Sequence, residues 1–453
     1  MTAQKHQSSI TGNFTTGRAP GALPLIGHAG HLMRRPIKFL ESLSTYGDLV
    51  EIRLGTQQAY VPCHPELLRQ VLTDDRTFDK GGAIIERIRN LLGNGLGTCP
   101  HRDHRRQRRL MQPAFSKARL EQYAEVMKRE ITALCESWQE AQEFDAFAVL
   151  YGLGLRVVVR TLLSSELDDP TVEQIRHSFE RALQELLPRM VIPQQMQELP
   201  LPVNRRYRQD LQDLDDVVDR IIADCRSAGL EQGGLLATLT DGHEGSAIPM
   251  DDSEIHDQVI TMLLGGSEST GTTLSWAFYL LSQHPEIEMR LHEEVDAVLG
   301  GRPAEWNDLP NLPFTHSVIT ETLRLYPPGW LLSRITTEEV ELAGTRMPPG
   351  TTIIFSPHVI QRQDDIYGRP EAFDPDRWSP DRAADLPRAT FVSFGGGARK
   401  CIGDTFGEIQ STLALSTIAA RWKMECAPDA DVRPVAFDFA YRPRRLILRP
   451  HLR

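Results

Sequence analysis

The sequence lacks a long apolar run, a close pair of cysteines and an excess of basic residues. No stretch approaches the roughly 18 consecutive apolar residues of a membrane-spanning helix, and the N-terminal MTAQKHQSSITGNFTTGRAPG is polar where a signal peptide would be apolar. We therefore expect a cytoplasmic protein without a membrane partner. The 453 residues carry a formal net charge of −11 and include seven lysines, so we also expect no nucleic-acid binding.

Cysteine usage excludes further classes of protein. The six cysteines include no CxxC pair, which argues against a zinc ribbon or an iron–sulfur cluster. Free thiols are favoured over a disulfide framework in a long chain without a secretory signal. One cysteine differs from the others because it lies in the glycine-rich stretch SFGGGARKCIG, residues 393–403, which is too poor in apolar side chains to pack a core.

The hydrophobic pattern predicts a mainly α fold with minor β structure. DLVEIRLG and QQAYVPC alternate like strands, and residues 116–283 are mostly amphipathic helix interrupted by proline or glycine. Residues 337–357 have an extended pattern, and a short hairpin is predicted after Asp431. We expect residues 1–18 to be disordered and residues 19–453 to form a single domain.

One long helix is predicted from Asp251 to His284. Asp251 and Glu254 have the spacing of a capping box, and Pro285 ends the helix. Its centre, Gly265-Gly266, is unfavourable because each glycine costs about 1 kcal/mol relative to alanine. The glycines either mark a kink where another helix crosses closely, or widen a groove for a small ligand whose protons Glu268 and Ser269 would handle.

A basic stretch, His101–Phe115, interrupts this acidic sequence. His104 and Arg108 are four residues apart and share one helical face. A solvated basic face is one interpretation; the other is that one face binds a carboxylate-bearing cofactor and the other an acidic protein. Further along, Glu321 and Arg324 form an ExxR pair, which carries little weight by itself because such pairs are common on solvated helices.

The motifs taken in order are more specific than any one of them. The long helix with GGxES is followed by ExxR, then by PDRW at residues 375–378, then by F-x-x-G-x-R-x-C-x-G at residues 394–403. This order resembles the cytochrome P450 superfamily, the haem-thiolate monooxygenases, over nearly the whole chain. The resemblance implies the cytochrome P450 fold, a helix-rich lobe with small β sheets enclosing haem b, with Cys401 as the iron ligand.

The resemblance also implies roles for residues outside the cysteine loop. Glu268 and Ser269 match the catalytic acid–alcohol pair, although serine stands where the family usually has threonine; it keeps the hydroxyl and loses the methyl group that fixes the rotamer. A triad of Glu321, Arg324 and Arg377 is structural in the family. The residues matching contacts to the haem propionates are His104, Arg108, Arg334 and Arg399.

Substrate and partners are the least determined part of the function. The implied pocket comprises residues around 80–97, 180–200, 263–267 and 329–334, with residues 185–202 as a possible lid. This lining is mostly apolar and favours a compact apolar substrate; its charged candidates are Arg87, Arg89 and Arg189. The sequence as a whole resembles bacterial hydroxylases of cyclic terpenoids. A polyketide, macrolide or fatty-acid-like substrate is the alternative.

No flavin or iron–sulfur module is encoded, so an external ferredoxin and its reductase are expected to supply electrons to a monomer, with docking at Arg105, Arg106 and Arg109. A haem-based gas sensor or other non-catalytic haem-thiolate protein would not need the acid–hydroxyl pair. Peroxide-driven relatives carry arginine where this chain has Glu268.

Overall fold

The computed structural model describes residues 13–191, 194–228, 235–236, 239, 250–387, 389–435 and 439–453. Helices predominate, as the sequence pattern predicts. The helices are α1 (Ala29–Arg34), α2 (Pro36–Leu43), α3 (Pro65–Thr73), α4 (Gly82–Leu92), α5 (His101–Met111), α6 (Lys117–Ser137), α7 (Ala146–Leu162), α8 (Asp169–Val191), α9 (Gln194–Glu198), α10 (Pro202–Ala228), α11 (Asp252–Gln283), α12 (Pro285–Leu299), α13 (Pro313–Leu325), α14 (Pro357–Ile360), α15 (Asp364–Tyr367), α16 (Pro380–Ala383) and α17 (Asp404–Arg421).

Small sheets flank the helices. The strands are β1 (Thr16–Arg18), β2 (Leu49–Leu54), β3 (Gln57–Pro62), β4 (Phe78–Asp79), β5 (Phe144–Asp145), β6 (Leu332–Thr336), β7 (Val340–Leu342), β8 (Thr345–Met347), β9 (Thr352–Phe355), β10 (Trp422–Cys426), β11 (Asp431–Pro434), β12 (Pro443–Arg445) and β13 (Ile447–Leu452). A six-stranded sheet has the order β1-β2-β3-β9-β6-β4, and β10, β13 and β5 form a second sheet. The predicted hairpin after Asp431 is the antiparallel pair β11 and β12.

The end of the predicted disordered segment is corrected by the structure. Residues 1–12 lie outside the described residues, but Thr16–Arg18 pairs in parallel with Leu49–Glu51. The backbone of this short segment is ordered because β2 supplies its hydrogen-bonding partners. Ordered structure therefore begins before the predicted boundary at residue 18.

The predicted long helix is α11, and it passes through the core. Asp251 and Glu254 form the predicted capping box, and His284 follows the last helical residue. Most of the residues after Ile255 are buried, in agreement with their apolar character on several faces. Within the described part of the chain, no helix is both long and apolar enough to cross a bilayer.

Glycines determine how closely α7 and α11 approach each other. A Cβ on Gly266 would lie 2.4 Å from a methyl group of Val158, and one on Gly154 would lie 3.0 Å from the backbone of Ser267. A Cβ on Gly271 would lie 2.9 Å from the backbone of Tyr151. The close helix crossing that was one interpretation of the paired glycines therefore explains Gly266.

The GNGLG stretch at residues 93–97 docks on the first turns of α11. The Asp257 carboxylate accepts the Asn94 N–H at 2.7 Å, and the side-chain amide oxygen of Gln258 accepts the Leu96 N–H at 2.9 Å. A Cβ on Gly95 would lie 2.4 Å from the backbone oxygen of Asp257. Close packing, rather than phosphate binding, accounts for these glycines, and it places α4 beside α11.

Candidate active site

The loop before α17 presents Cys401 in a fixed conformation. The Cys401 N–H donates to the carbonyl of Phe394 at 2.9 Å, and the Gly395 N–H donates to Val392 at 2.8 Å. Gly397 has φ +63°, and a Cβ there would lie 2.1 Å from the carbonyl oxygen of Leu72 in α3. Glycine at this position is thus required by contact with α3 as well as by backbone conformation.

Opposing influences act on the pKa of the Cys401 thiol. Its side chain is exposed, yet burial is the main factor that raises its pKa, so it faces an interior space rather than the outer surface. The Gly403 N–H, donating at the start of α17, and the nearby cations Arg108 and Lys80 act in the opposite direction and lower the pKa. The start of α17 therefore supplies a hydrogen-bond donor to the Cys401 sulfur.

Three cations lie near one another in the interior: Arg334 and Arg399 are buried, and Lys80 is half-buried. Burial, reinforced by Arg334 and Arg399, lowers the pKa of Lys80 to about 7, and its ammonium group donates to the Gly97 carbonyl. Burial and Arg399 lower the pKa of Arg334 to about 10. Lys80 could not be predicted from the sequence, because a single lysine after a short strand has no distinctive pattern.

The carboxylates in this region are engaged by only one of these cations. Arg399 donates to Asp79 at 2.6 Å, to Asp75 at 3.3 Å and to the Cys99 carbonyl at 2.8 Å. Arg334 donates to its neighbour, the Ser333 carbonyl, at 2.9 Å. Arg334 and Lys80 thus bring positive charge into the interior that the hydrogen bonds described for them do not balance with a carboxylate.

The predicted pair on α5 lies near these cations. His104 is buried, and burial together with the positive charges of Arg399, Lys80 and Arg108 lowers its pKa to about 3. Arg108 donates to the Lys400 carbonyl at 2.5 Å, directly beside Cys401. A neutral His104 surrounded by cations and an arginine at the cysteine loop suit the binding of an anionic group.

These features fit a haem group. Its two propionate groups would balance the surplus buried positive charge, and its iron would meet the Cys401 sulfur. The five predicted residues His104, Arg108, Arg334, Arg399 and Cys401 are brought into one electrostatically coupled region, because the pKa values of Lys80, His104 and Cys401 depend on members of the same set.

The face of α11 that carries Gly265 and Ser269 is open. Gly265 is exposed, and a Cβ there would meet no atom within 4 Å. The Ser269 hydroxyl donates to the Gly265 carbonyl at 2.6 Å, which is the return bond to the helix that serine permits. The two central glycines therefore differ in purpose: Gly266 admits α7, and Gly265 leaves open space.

Glu268 lies on an adjoining face of the helix and is buried. It lines a small cleft together with Tyr151 of α7, Arg176 and Glu180 of α8, and Arg442 near the C-terminus. Arg442 donates to Glu180 at 2.6 Å, and Arg176 donates to Glu180 at 3.1 Å. Glu268 thus shares a cleft with a charged cluster, while Ser269 borders the open face.

The ExxR pair is a buried structural centre rather than a solvated ion pair. Arg324 and Glu321 are fully buried and joined by two hydrogen bonds of 2.8 Å. Arg377 approaches the same carboxylate at 3.4 Å, and the Trp378 indole N–H donates to it at 2.9 Å. The carboxylate thereby unites α13 with the PDRW turn.

Gln361 connects this centre to the cysteine loop, and the sequence analysis missed it. Its carbonyl accepts from the Arg324 guanidinium at 2.8 Å, and its side-chain oxygen accepts from Val392 N–H at 2.7 Å and from the Ser393 hydroxyl at 3.0 Å. Gln361 is completely buried. Disturbance of the Glu321 centre would therefore be transmitted to the segment that precedes Cys401.

The predicted docking arginines on α5 are not equivalent. Arg105 and Arg109 are exposed, as expected for a partner surface. Arg106 differs from the prediction, because it forms a salt bridge with Glu254 at the start of α11 and is only partly exposed. Its partner lies 148 residues away in the sequence, so α5 alone gave no sign of the pairing.

The three arginines considered as charged pocket residues have protein partners. Arg89 donates to Glu86 at 2.7 Å and to the Thr98 carbonyl at 2.8 Å. Arg189 donates to Asn204 at 3.2 Å and lies over the Tyr207 ring, and Arg87 contacts Gln197 at 3.4 Å. These contacts support an uncharged substrate. The predicted lid, 185–202, is only partly described, because residues 192–193 lie outside the described ranges.

The fold, the cysteine loop and the buried cations together define the class of haem-thiolate oxygenases. The family model for cytochrome P450 matches residues 18–449, so the chain belongs to the cytochrome P450 family. This family binds haem through a cysteine thiolate and acts as monooxygenases.

The chain is also similar to individual bacterial members of the family. It is 50% identical over 436 residues to pentalenene oxygenase of Streptomyces avermitilis, covering 96% of this chain and 97% of that protein. It is 44% identical over 433 residues to cyclooctatin synthase of Streptomyces melanosporofaciens, covering 94% of each chain. Cyclooctat-9-en-7-ol 5-monooxygenase of the same organism is 43% identical over 417 residues, covering 92% of this chain and 91% of that protein.

Proposed function

We propose that this enzyme hydroxylates a cyclic terpenoid in bacterial secondary metabolism. One oxygen atom of dioxygen enters a C–H bond of the substrate, and the other leaves as water with two electrons and two protons. The observation that carries the monooxygenase assignment is the Cys401 loop beside a surplus of buried positive charge. The relatives named for pentalenene and cyclooctatin oxidation support the substrate class.

Each predicted cofactor residue receives a role in this proposal. Cys401 provides the thiolate, stabilised by the Gly403 N–H and by the positive charge of Arg108. The haem, when bound, supplies the activation of dioxygen. Arg334, Arg399 and Lys80, with His104 and Arg108 from α5, hold its propionate groups. Arg399 retains a donor for this purpose because its four protein acceptors engage at most four of its five N–H groups.

Proton transfer is assigned to Ser269 and Glu268. The Ser269 hydroxyl borders the open face of α11, and it must leave the Gly265 carbonyl before it can donate a proton into that space. Glu268 shares a cleft with the charged cluster of Arg176, Glu180 and Arg442, so it can receive protons from the side of α8. Gly265 leaves room for ligand beside these groups.

Electrons are proposed to come from an acidic ferredoxin that docks on α5. Arg105 and Arg109 are exposed on this helix, whose opposite face holds His104. Reversal of both charges, R105E/R109E, should slow reduction by ferredoxin and weaken its salt dependence, while substrate binding is retained. The pair R444E/R445E on β12 is the control, because these arginines are also adjacent and exposed. Equal effects of the two double variants would remove this assignment. We also infer a cytoplasmic monomer.

A spectral binding screen tests the substrate class. Purified haem-loaded enzyme is titrated with terpene hydrocarbons and alcohols, fatty acids and macrolides, and the shift of the haem absorption on displacement of iron-bound water is recorded. A cyclic terpene should give the largest shift and then yield a hydroxylated product with reductant and ferredoxin. Preference for a fatty acid or macrolide would overturn the terpenoid assignment. Turnover with peroxide alone, or binding without any turnover, would overturn the ferredoxin-dependent monooxygenase.

A further inference from the structure

The turn at residues 23–27, before α1, presents apolar side chains to solvent. Leu25 is 82% exposed, the highest exposure among the large apolar residues described, and Leu23 and Ile26 on either side are also exposed. Leu25 also has φ +65°, a left-handed conformation that is unfavourable for leucine. A residue that is strained and apolar at an exposed turn contributes little to folding, which suggests a role in binding.

The turn is held firmly from within. Leu23 and Gly27 exchange backbone hydrogen bonds of 3.0 and 2.9 Å, and a Cβ on Gly27 would lie 2.4 Å from the Arg53 carbonyl oxygen of β2. The following residue, His28, is buried, and its ring nitrogen lies 3.2 Å from the Ala19 carbonyl. The exposure of Leu25 is therefore imposed by a fixed backbone and is not a consequence of fraying.

Exposed basic residues follow this apolar turn on the next two helices. Met33, Arg34, Arg35 and Lys38 are exposed on α1, α2 and the residue between them, and the His28 ring stacks on Phe39 of α2 at 5.4 Å, which keeps α2 beside the turn. No aspartate or glutamate occurs between residues 19 and 40, although the whole chain has a net charge of −11. Cationic and apolar side chains are thus concentrated in a segment that contains no acid, and the nearest acid along the chain, Glu41 on α2, is engaged by His358. We define the lead-in surface as Leu23, Leu25, Ile26, Met33, Arg34, Arg35 and Lys38.

We propose that the lead-in surface binds the anionic headgroup layer of a lipid bilayer. A bilayer places an apolar layer directly behind a layer of negative phosphates, which suits apolar side chains at a turn with arginine and lysine beside them. An acidic protein surface would attract the cations but would not explain a strained leucine that is four-fifths exposed. The expectation of no membrane partner came from the absence of a spanning segment, and interfacial binding requires none.

This inference stands on the lead-in surface alone. The proposed function adds a reason for it, because a terpene hydrocarbon partitions into membranes and an enzyme at the bilayer surface would meet its substrate there. Failure of lipid binding would leave the substrate assignment intact, since the two are tested by different measurements.

Sedimentation with vesicles tests the proposal on the full-length, haem-loaded protein. Vesicles of pure phosphatidylcholine are compared with vesicles containing phosphatidylglycerol at roughly one lipid in three. The protein should bind the anionic vesicles at least about tenfold more strongly, because each basic residue near such a surface contributes about fivefold. R34Q/R35Q should remove most of this preference, and L25S/I26S should weaken binding to anionic vesicles about tenfold or more.

Matched variants control for charge and apolar content. Met289 is 57% exposed on α12, so M289S removes an exposed apolar side chain elsewhere, and R444Q/R445Q removes an adjacent pair of exposed arginines. Both should bind vesicles like the wild type, and all variants should keep the haem absorption spectrum. No preference for anionic vesicles, or an equal loss in the control variants, would overturn the proposal. Dimerisation abolished by L25S/I26S, without lipid binding, would assign the surface to a second copy of the chain.

Discussion

Alanine at Gly265 should stabilise the protein, whereas alanine at Gly266 should not. In Gly265→Ala the new Cβ meets no atom within 4 Å, so the variant should gain the helix propensity of alanine, about 1 kcal/mol. In Gly266→Ala the new Cβ would lie 2.4 Å from the Val158 methyl group. Overpacking of a rigid core costs about 1–3 kcal/mol. After subtraction of the same propensity gain, G266A should be between neutral and about 2 kcal/mol less stable than wild type.

Val158 makes the contrast testable by a double-mutant cycle. Val158 is fully buried on α7 and branched at Cβ, so its methyl group cannot rotate away easily. V158A should be destabilising by itself but should remove the clash in G266A/V158A, giving a favourable coupling of about 1–3 kcal/mol. G265A/V158A should show additive effects, because Gly265 does not face Val158. The free energies are measured by urea unfolding of the haem-loaded proteins.

The G265A and G266A variants also distinguish an effect on stability from an effect on ligand binding. G265A adds a methyl group to the open face of α11, so a substrate that uses this space should bind more weakly, by up to about 1–3 kcal/mol, while the protein is more stable. Spectral titration with the best terpene ligand measures this affinity. If G265A destabilised the enzyme as much as G266A, or if V158A failed to relieve G266A, the different purposes assigned to the two glycines would be wrong.

Three further predictions concern the site and its support. Lys80→Met should lower haem retention after dialysis about tenfold or more, because it removes an interior cation proposed to face a propionate, and Lys80→Arg should restore it; retention equal to wild type in K80M would contradict the role. Ser269→Ala should lower the yield of product per reducing equivalent, whereas Ser269→Thr should maintain or raise it because the methyl group fixes the rotamer; an unchanged yield in S269A would remove Ser269 from proton transfer. Glu321→Gln should destabilise the protein by about 3–5 kcal/mol in urea unfolding, because Arg324 would be left as a buried charge without its carboxylate, and a loss below about 1 kcal/mol would argue against a structural centre.

Several features could be predicted from the sequence because they depend on local spacing. The capping box of Asp251 and Glu254, the end of α11 before Pro285 and the strands β2 and β3 follow from neighbouring residues and agree with the structure. Cys401 was singled out by five fixed positions within ten residues, and the order of the motifs indicated the cytochrome P450 family.

Other features were decided by residues that are distant in the sequence. The sequence does not distinguish Gly265 from Gly266. Because successive helical residues are rotated by about 100°, Gly265 faces open space and Gly266 packs against Val158. From the sequence, Arg106 could not be distinguished from its exposed neighbours on α5, because its salt-bridge partner Glu254 lies on α11.

The family, Cys401 and the long helix α11 follow from the amino-acid sequence, because those signals lie in short motifs whose spacing is dictated by backbone geometry. The place of Lys80 among the interior cations, and the connection of Arg324 to the cysteine loop through Gln361, become visible in the folded protein alone. Burial and charge balance arise from packing segments far apart in the chain, so a single lysine or glutamine carries no sign of them until the fold brings its partners together.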